Sequence, residues 1–406
     1  MRVLMFGWEF PPFYSGGLGT ACYGLTKGLS HHNVKVTFVM PKGPDTVKSD
    51  FVKLLVADKA FKNHNFRIKK IDSILTPYLN SQTYNEKFQD YSLMLKKQST
   101  ELLYGKNMFE EVYRFSEQAK LIALSEEFDV IHAHDWMTYM AGIKAKKVSG
   151  KPLVVHMHAT EFDRTGGNGI NQYVYDIEKR GMHEADKVCA VSNYTKSMVV
   201  QHYGVPPEKV EVVHNAVEFS DRQIYRIEKT DKVVLFLGRI TLQKGPEYFV
   251  EAAKKVMDRD PNVKFVVVGS GDMEPQMIEH AASLGIANRM LFAGFLTGED
   301  VNKAYQMADI YVMPSVSEPF GITPLEAMKS GTPVIISKQS GVSEVIQNCL
   351  KVDFWDVDDI ANKILSLLHY ETLHQTLKHH GTIEVDKFNW DIPAEKCLRI
   401  YNELVR

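Results

Sequence analysis

The sequence predicts an α/β protein built from two doubly wound parallel-sheet domains. The first observation is a set of short apolar runs of strand length, rich in Val and Ile: R-V-L-M-F, V-K-V-T-F-V, V-I-H-A-H, L-V-V-H-M-H, K-V-C-A-V and V-E-V-V-H in the first half. K-V-V-L-F-L, V-K-F-V-V-V, M-L-F-A-G, I-Y-V-M and P-V-I-I-S follow in the second. The second observation is that stretches of helical periodicity separate these runs; near-continuous apolar strands alternating with helices belong to parallel sheets covered on both faces. The third is length. A chain of 406 residues exceeds the size at which a single hydrophobic core keeps growing.

In chain order, residues 1–217 form the first domain, and the polar stretch 218–231, E-F-S-D-R-Q-I-Y-R-I-E-K-T-D, reads as the linker. A second domain over 232–385 and a terminal helix over 386–406 complete the chain, the latter with Ala394, Leu398, Tyr401 and Val405 on one stripe. From about 51 to 124 the alternation breaks into a Lys-, Asn-, Tyr- and Gln-rich insertion that ends in a long helix around F-E-E-V-Y-R-F-S-E-Q-A-K-L-I-A-L. Such insertions in α/β domains usually serve as lids or binding surfaces.

Composition narrows the functional classes. With 48 basic against 50 acidic residues, the formal charge of -2 supplies no field for nucleic acid or an anionic membrane. Cys22, Cys189, Cys349 and Cys397 lie too far apart for a C-x-x-C site and suit a reducing cytosol, so a cytoplasmic protein is expected. The N-terminal apolar run is too short for a signal peptide and meets Glu9, Pro11 and Pro12 at once, and no apolar stretch is long enough to span a bilayer.

Open parallel sheets bind ligands beyond the carboxyl ends of their strands, so the loops there carry most weight. After the first strand, Gly16, Gly17 and Gly19 enter a helix and let backbone amides approach a phosphate, although no G-K-[ST] makes this a Walker loop. After the first strand of the second domain, G-R-I-T-L-Q-K-G-P places Arg239 and Lys244 ahead of a helix that starts near Pro246. A planar fork and a mobile point charge there suit a diphosphate. The turn Gly269–Asp272 lacks the full dinucleotide pattern and reads as a turn near a base or ribose.

Two histidine pairs, His132 with His134 and His156 with His158, each share one strand face. With Asp135, Glu161 or Asp163 they would form the shell of a metal-dependent hydrolase, a rival class; the favoured expectation is no metal. The segment S-V-S-E-P-F-G-I-T-P-L-E-A-M puts Glu318 in a loop stiffened by Pro319. Glu326 falls on a helix with Thr323 as N-cap, Pro324 as first residue and Glu326 in the capping-box position. Glu318 is suited to accept hydrogen bonds from sugar hydroxyls and Glu326 to take a ribose.

Together, H-A-H-D-W from His132, G-R-I-T-L-Q-K-G from Gly238 and E-P-F-G-I-T-P-L-E-A-M from Glu318 resemble the retaining GT-B glycosyltransferases of family 4, particularly the glycogen and starch synthases. The likeness covers nearly the whole chain and includes the family's E-x7-E signature. It implies the GT-B fold, two Rossmann-like domains facing a cleft, with the last helix crossing back to the N-terminal domain. It also implies an ADP-glucose or UDP-glucose donor, an oligosaccharide or α-1,4-glucan acceptor, and no cofactor.

By the same resemblance Arg239 and Lys244 would hold the diphosphate, Glu326 the ribose and Glu318 the sugar hydroxyls. Backbone amides at Phe320, Gly321, Ile322 and Thr323 would bind sugar and phosphate. His158, Asp135 and Asn215 would lie at the donor sugar, with Gly17 on the opposite wall. The chain departs from the family where Tyr14 replaces the lysine of K-x-G-G-L and Ala159 replaces an asparagine. A hexosyltransferase with another donor or acceptor and a non-catalytic sugar-nucleotide-binding protein are the remaining readings.

Overall fold

In the computed structural model, the described residues are 1–11, 16–41, 51–57, 108–167, 169–218, 225 and 231–405. The first half runs β1 (Arg2–Phe6), α1 (Gly17–His31), β2 (Lys35–Met40), β3 (Lys53–Val56), α2 (Met108–Ser125), β4 (Val130–His134) and α3 (Trp136–Ser149). It continues through β5 (Leu153–Met157), α4 (Glu161–Thr165), α5 (Gln172–Glu184), β6 (Lys187–Ala190), α6 (Asn193–Tyr203) and β7 (Val210–Val212). The second half runs β8 (Val233–Leu237), α7 (Pro246–Met257), β9 (Lys264–Val268), α8 (Glu274–Ser283), β10 (Met290–Gly294), α9 (Glu299–Met307) and β11 (Ile310–Met313). Then come α10 (Thr323–Lys329), β12 (Val334–Ser337), β13 (Leu350–Val352), α11 (Val357–His369), α12 (Glu371–Val385) and α13 (Asp391–Val405).

Every strand pair is parallel, in the orders β3-β2-β1-β4-β5-β6-β7 and β10-β9-β8-β11-β12-β13. Each order reverses once, between β1 and β4 and between β8 and β11, and a ligand crevice opens at the carboxyl side of such a reversal. Glu9 and Asp135 follow the first pair of strands; Arg239 and Glu318 follow the second. The fold is the expected two-domain GT-B arrangement.

Strand alternation sorts the first sheet. Leu4, Ile131, Ala133 and Val155 face α2, α3 and α5, whereas Val3, Met5, Val130 and Val154 face α1 and α13. The terminal helix therefore caps the N-terminal domain, burying Ala394, Cys397, Ile400 and Tyr401 there. Val405 departs from the expected stripe: it is 45% exposed, and Pro393, Cys397 and Ile400 complete the buried face instead.

Two strands escaped the sequence reading. β3 lies inside the stretch read as an insertion and pairs with β2 from Thr37↔Lys53 to Met40↔Val56, and α2 packs into the core of the domain. Both are therefore parts of the domain rather than additions to it. β13, L-K-V, is too short and too polar to stand out. Tyr14, most of the linker 218–231 and residues 58–107 of the insertion lie outside the described residues.

The α1–α13 contact depends on small residues. A Cβ on Gly28 would sit 2.5 Å from the carbonyl oxygen of Trp390, and one on Gly24 would meet the Trp390 ring at 2.1 Å. Gly28→Ala is expected to destabilise the protein by about 1–3 kcal/mol through overpacking, read as a lowered thermal midpoint. Gly17→Ala, whose Cβ would meet nothing within 4 Å, serves as the comparison.

Candidate active site

The second-domain wall is built on the loops after β8 and β11. Gly245, at φ +62, ends the loop after β8 and places Pro246 at the start of α7. Arg239 donates from Nη2 to Gln243 Oε1 at 3.0 Å, and Gln243 is buried and accepts the Val316 amide at 3.0 Å. Lys244 makes an ion pair with Glu318, whose other contact is Ser315 Oγ at 3.4 Å. The two residues assigned to diphosphate and sugar therefore meet directly. The Glu318 backbone is held on both sides, its amide donating to Gln339 O at 3.0 Å and its carbonyl accepting from Gly341 at 2.9 Å.

Beyond Glu318, Gly321 takes φ +98, which turns the chain into α10. The amides of Phe320, Gly321, Ile322 and Thr323 donate to no acceptor among the described residues. They form an anion-attracting helix entrance beside Lys244. The expected capping box is corrected here. Ile322 is the N-cap, no side chain caps the helix, and Thr323 Oγ1 instead accepts from Tyr311 Oη at 2.8 Å. Glu326 accepts from Tyr305 Oη at 2.9 Å, and burial raises its carboxyl above the usual range while that bond opposes the rise. The turn Gly269–Asp272 has a packing reason. A Cβ on Gly269 would fall 1.9 Å from Gly238 O and one on Gly271 2.2 Å from Ile240 O, so glycine lets this loop lie against the Arg239 loop.

On the first-domain wall Gly17 is exposed at the start of α1, with Gly16 as N-cap. The Gly19 amide is already used by Glu9 Oε2 at 3.1 Å. Burial raises the Glu9 carboxyl, against the pull of the Gly19 and Gly16 amides and of Arg239. Glu9 was missed as a site residue; an acid directly after β1 among apolar neighbours was the available signal.

Asp135, the N-cap of α3, adopts φ 62, an unusual conformation for a residue with a side chain. It is buried, and its Oδ1 has no protein partner. Burial pushes its carboxyl up to about 6, with the Arg164 guanidinium as the main opposing influence. Arg164 Nη1 stands 3.9 Å from Asp135 and donates to Ala159 O at 2.8 Å; Nε donates to Glu161 at 3.1 Å, and Nη2 pairs with Glu178. Tyr203 donates to the same Glu178, whose carboxyl burial raises to about 8. Arg164 and Glu178 were not anticipated, although E-F-D-R carries the i,i+3 acid–base spacing of Glu161 and Arg164.

The histidines occupy one face of β4 and β5. His132 and His134 stack at 4.3 Å between centroids and His156 and His158 at 4.5 Å, and His134 Nδ1 lies 3.0 Å from His158 Nε2. Tyr401 of α13 meets His132 Nδ1 at 2.5 Å. Burial is the leading cause that lowers all four, with His156 brought to about 3. Two sets, His132–His156–Cys189 and His134–His156–His158, have ligand atoms within 4.8 Å of one another. Asp135, Glu161 and Asp163 join neither. Asp163 closes a capping box with Thr160 and accepts from Ser317 Oγ at 2.5 Å, and Glu161 accepts from Arg164 Nε at 3.1 Å, so these two carboxylates of the rival metal shell are engaged elsewhere.

The two walls touch. Ser192 Oγ donates to Pro319 O at 2.6 Å, Tyr194 Oη meets Ser317 Oγ at 2.9 Å, and Glu344 accepts the amides of Asn193 at 2.9 Å and Tyr194 at 2.6 Å. Asn215 is buried just before the crossing into the second domain, beside His214, which reaches Glu344 at 3.3 Å. The segments after β5 and β6 of the first domain thus meet the loop after β11 that carries Glu318, itself paired with Lys244.

The profile described as Glycosyltransferase Family 4 matches residues 15–221, and that described as Glycosyl transferases group 1 matches residues 217–382. The chain is 30% identical to an uncharacterised glycosyltransferase of Methanocaldococcus jannaschii, over 99% of this chain and 98% of that one. It is 28% identical to D-inositol 3-phosphate glycosyltransferase of Rhodococcus jostii, over 68% and 66% of the two chains. With glycogen synthase of Mycobacterium tuberculosis it shares 25% identity over 99% and 94%. Sucrose-phosphate synthase from Thermosynechococcus elongatus superposes with TM-score 0.75 at 19% identity, covering 99% of this chain and 98% of that one.

The histidine face generates a stability prediction. Unfolded, His156 would bind a proton below the ordinary value of 6.5; folded, it resists protonation down to about 3. The unfolded state thus holds more protons in that window, and stability falls as pH drops from 6.5 toward 3, on the order of 2 kcal/mol from this residue by about pH 5. Urea midpoints at neutral pH and about pH 5 are expected to separate widely for the wild type and less for His156→Leu.

Proposed function

As a member of Glycosyltransferase Family 4, the chain is a nucleotide-sugar-dependent glycosyltransferase of GT-B architecture. From that premise we propose that it transfers glucose, with retention, from ADP-glucose or UDP-glucose to the non-reducing end of an α-1,4-glucan. The observation that carries the reading is the Lys244–Glu318 pair beside the open amides of Phe320 to Thr323. It sets a cation, a sugar-hydroxyl acceptor and an anion-attracting helix entrance within one loop cluster.

Cleaving the anomeric bond leaves positive charge on the sugar and negative charge on the departing diphosphate. Arg239, Lys244 and the amides would receive the diphosphate, and because they are fixed beforehand they stabilise that charge without reorganisation. Glu318 would hold the sugar hydroxyls and Glu326 the ribose. His158 and Asp135 would border the sugar from the other wall, with Gly17 and Asn215 completing the donor site. The acceptor hydroxyl would attack from the face the diphosphate leaves, a phosphate oxygen taking its proton. These roles call for no metal ion.

Likeness to glycogen synthase over nearly the whole chain supports the glucan acceptor. Likeness to D-inositol 3-phosphate glycosyltransferase favours a second reading, hexosyl transfer to a different acceptor. Incubation with maltooligosaccharide and a panel of labelled nucleotide sugars separates the two. Chain extension from ADP-glucose or UDP-glucose with an α-configured product is expected, and no extension from any glucose donor would defeat the glucan assignment. Glu318→Gln is expected to lower kcat by about 10²–10³ with the thermal midpoint retained; unchanged turnover would remove Glu318 from the reaction.

A further inference from the structure

Helices that precede a strand in a parallel sheet run against it, so their first turns lie at the carboxyl edge. α2 leads to β4 and α5 leads to β6. Phe109 and Tyr173, in the first turns of those helices, therefore come to the same rim as Trp136, which follows Asp135 directly. The rings make a continuous series. Phe109 lies 6.2 Å from Trp136 and 4.5 Å from Tyr173, both at tilted angles. Trp136 is buried and Phe109 partly so, while Tyr173 is 60% exposed. An exposed aromatic at the end of such a row gains nothing for the core.

The backbone that carries the outer ring is also tied to the surroundings of Asp135. Asn171 Oδ1 accepts the Tyr173 amide at 3.0 Å, and the Asn171 amide donates to Glu161 Oε1 at 3.0 Å. Glu161 Oε2 accepts from Arg164, whose guanidinium faces Asp135. Gln172 and Asp176 stand exposed beside Tyr173, hydrogen-bonded to each other at 2.8 Å. A rigid aromatic face with an amide and a carboxylate at its margin is complementary to a pyranose, whose C–H face is apolar and whose rim carries hydroxyls.

We propose that Phe109 and Tyr173 form an acceptor subsite on the first-domain rim, on which a sugar unit of the glycan acceptor stacks outward from Asp135. This rests on the glycosyltransferase reading and deepens it, because it names where the acceptor chain leaves the crevice. Tyr173 sets acceptor affinity by contact with a unit remote from the reacting hydroxyl.

The test uses donor-free, full-length protein on a glycan array carrying α-1,4-glucans alongside other pyranosides. Tyr173→Ala is expected to weaken retention about fivefold or more with an unchanged thermal midpoint, and Tyr173→Phe to restore it. Equal retention by wild type and Tyr173→Ala, or no retention of any glycan by the wild type, would overturn the subsite. The glycosyltransferase reading is judged separately, by release of nucleoside diphosphate from nucleotide sugar by the wild type; its failure leaves the array result standing.

Discussion

A guanidinium withdrawn from water must be matched by negative charge, and the first-domain wall is organised around that requirement at Arg164. Burial alone would lower its affinity for a proton, but Glu178, Asp135 and Glu161 outweigh the loss and keep it charged. Each partner brings a different segment: Asp135 from the end of β4, Glu161 from α4 and Glu178 from α5. The Ala159 carbonyl ties in the end of β5 as well. One charged side chain thus ties together the end of β4, the β5–α4 connection and α5. The cost falls on the carboxylates, since Asp135 and Glu178 are both pushed upward by burial despite the nearby cation.

The same wall reaches the other domain through short polar contacts, beside an apolar contact in which Val191 packs into the core of the second domain. Asp163 receives Ser317, Ser192 receives the Pro319 carbonyl as its acceptor, and the N-terminus of α6 takes the Glu344 carboxylate. Two of these contacts fall on Ser317 and Pro319, the immediate neighbours of Glu318. The position of Glu318 is therefore set jointly by its own domain, through Gln339 and Gly341, and by the opposite one. Ser192, Asp163 and Ser317 are buried, so parting these groups would leave polar atoms unpaired unless water replaced the partner, and the contacts favour the arrangement in which the two domains meet.

Strand-length apolar runs made the alternation of strands and helices visible in the sequence, and with it the loops that line the crevice. Arg239, Lys244 and Glu318 stood out in the sequence because cations and an acid directly after apolar strands have few structural reasons to be there, and the fold brings Lys244 and Glu318 into contact. β3 and β13 were hidden because K-L-L-V and L-K-V are too short to show a period. Glu9 and Arg164 left only faint local signals, an acid shortly after β1 and the i,i+3 spacing with Glu161, whereas Glu344 was hidden because the amides it accepts, Asn193 and Tyr194, lie in the other domain. A buried ion pair leaves no periodic trace, and only the fold brings its members together. The Thr323 capping box failed because Tyr311 competes for the hydroxyl, a contact that local spacing cannot reveal.

The two walls differ in charge, and the difference follows from burial. Stacking four histidines on one strand face removes them from water, and the loss of hydration holds them neutral at physiological pH. His158 therefore brings hydrogen-bonding capacity to the crevice without positive charge. Asp135, which the His158 amide faces, and Glu9 are acids on the same wall. The cations, Arg239 and Lys244, stand on the second domain together with the open amides of α10. In the proposed reaction the sugar becomes electron-poor while the diphosphate becomes more negative. A cationic first wall would oppose the first of these changes, and an acidic second wall the second. Burying the histidines keeps them from adding positive charge to the sugar side, where the one buried guanidinium named, Arg164, is offset by Glu178, Asp135 and Glu161, so that the electrostatic gradient across the crevice runs in the direction in which the bond is to break.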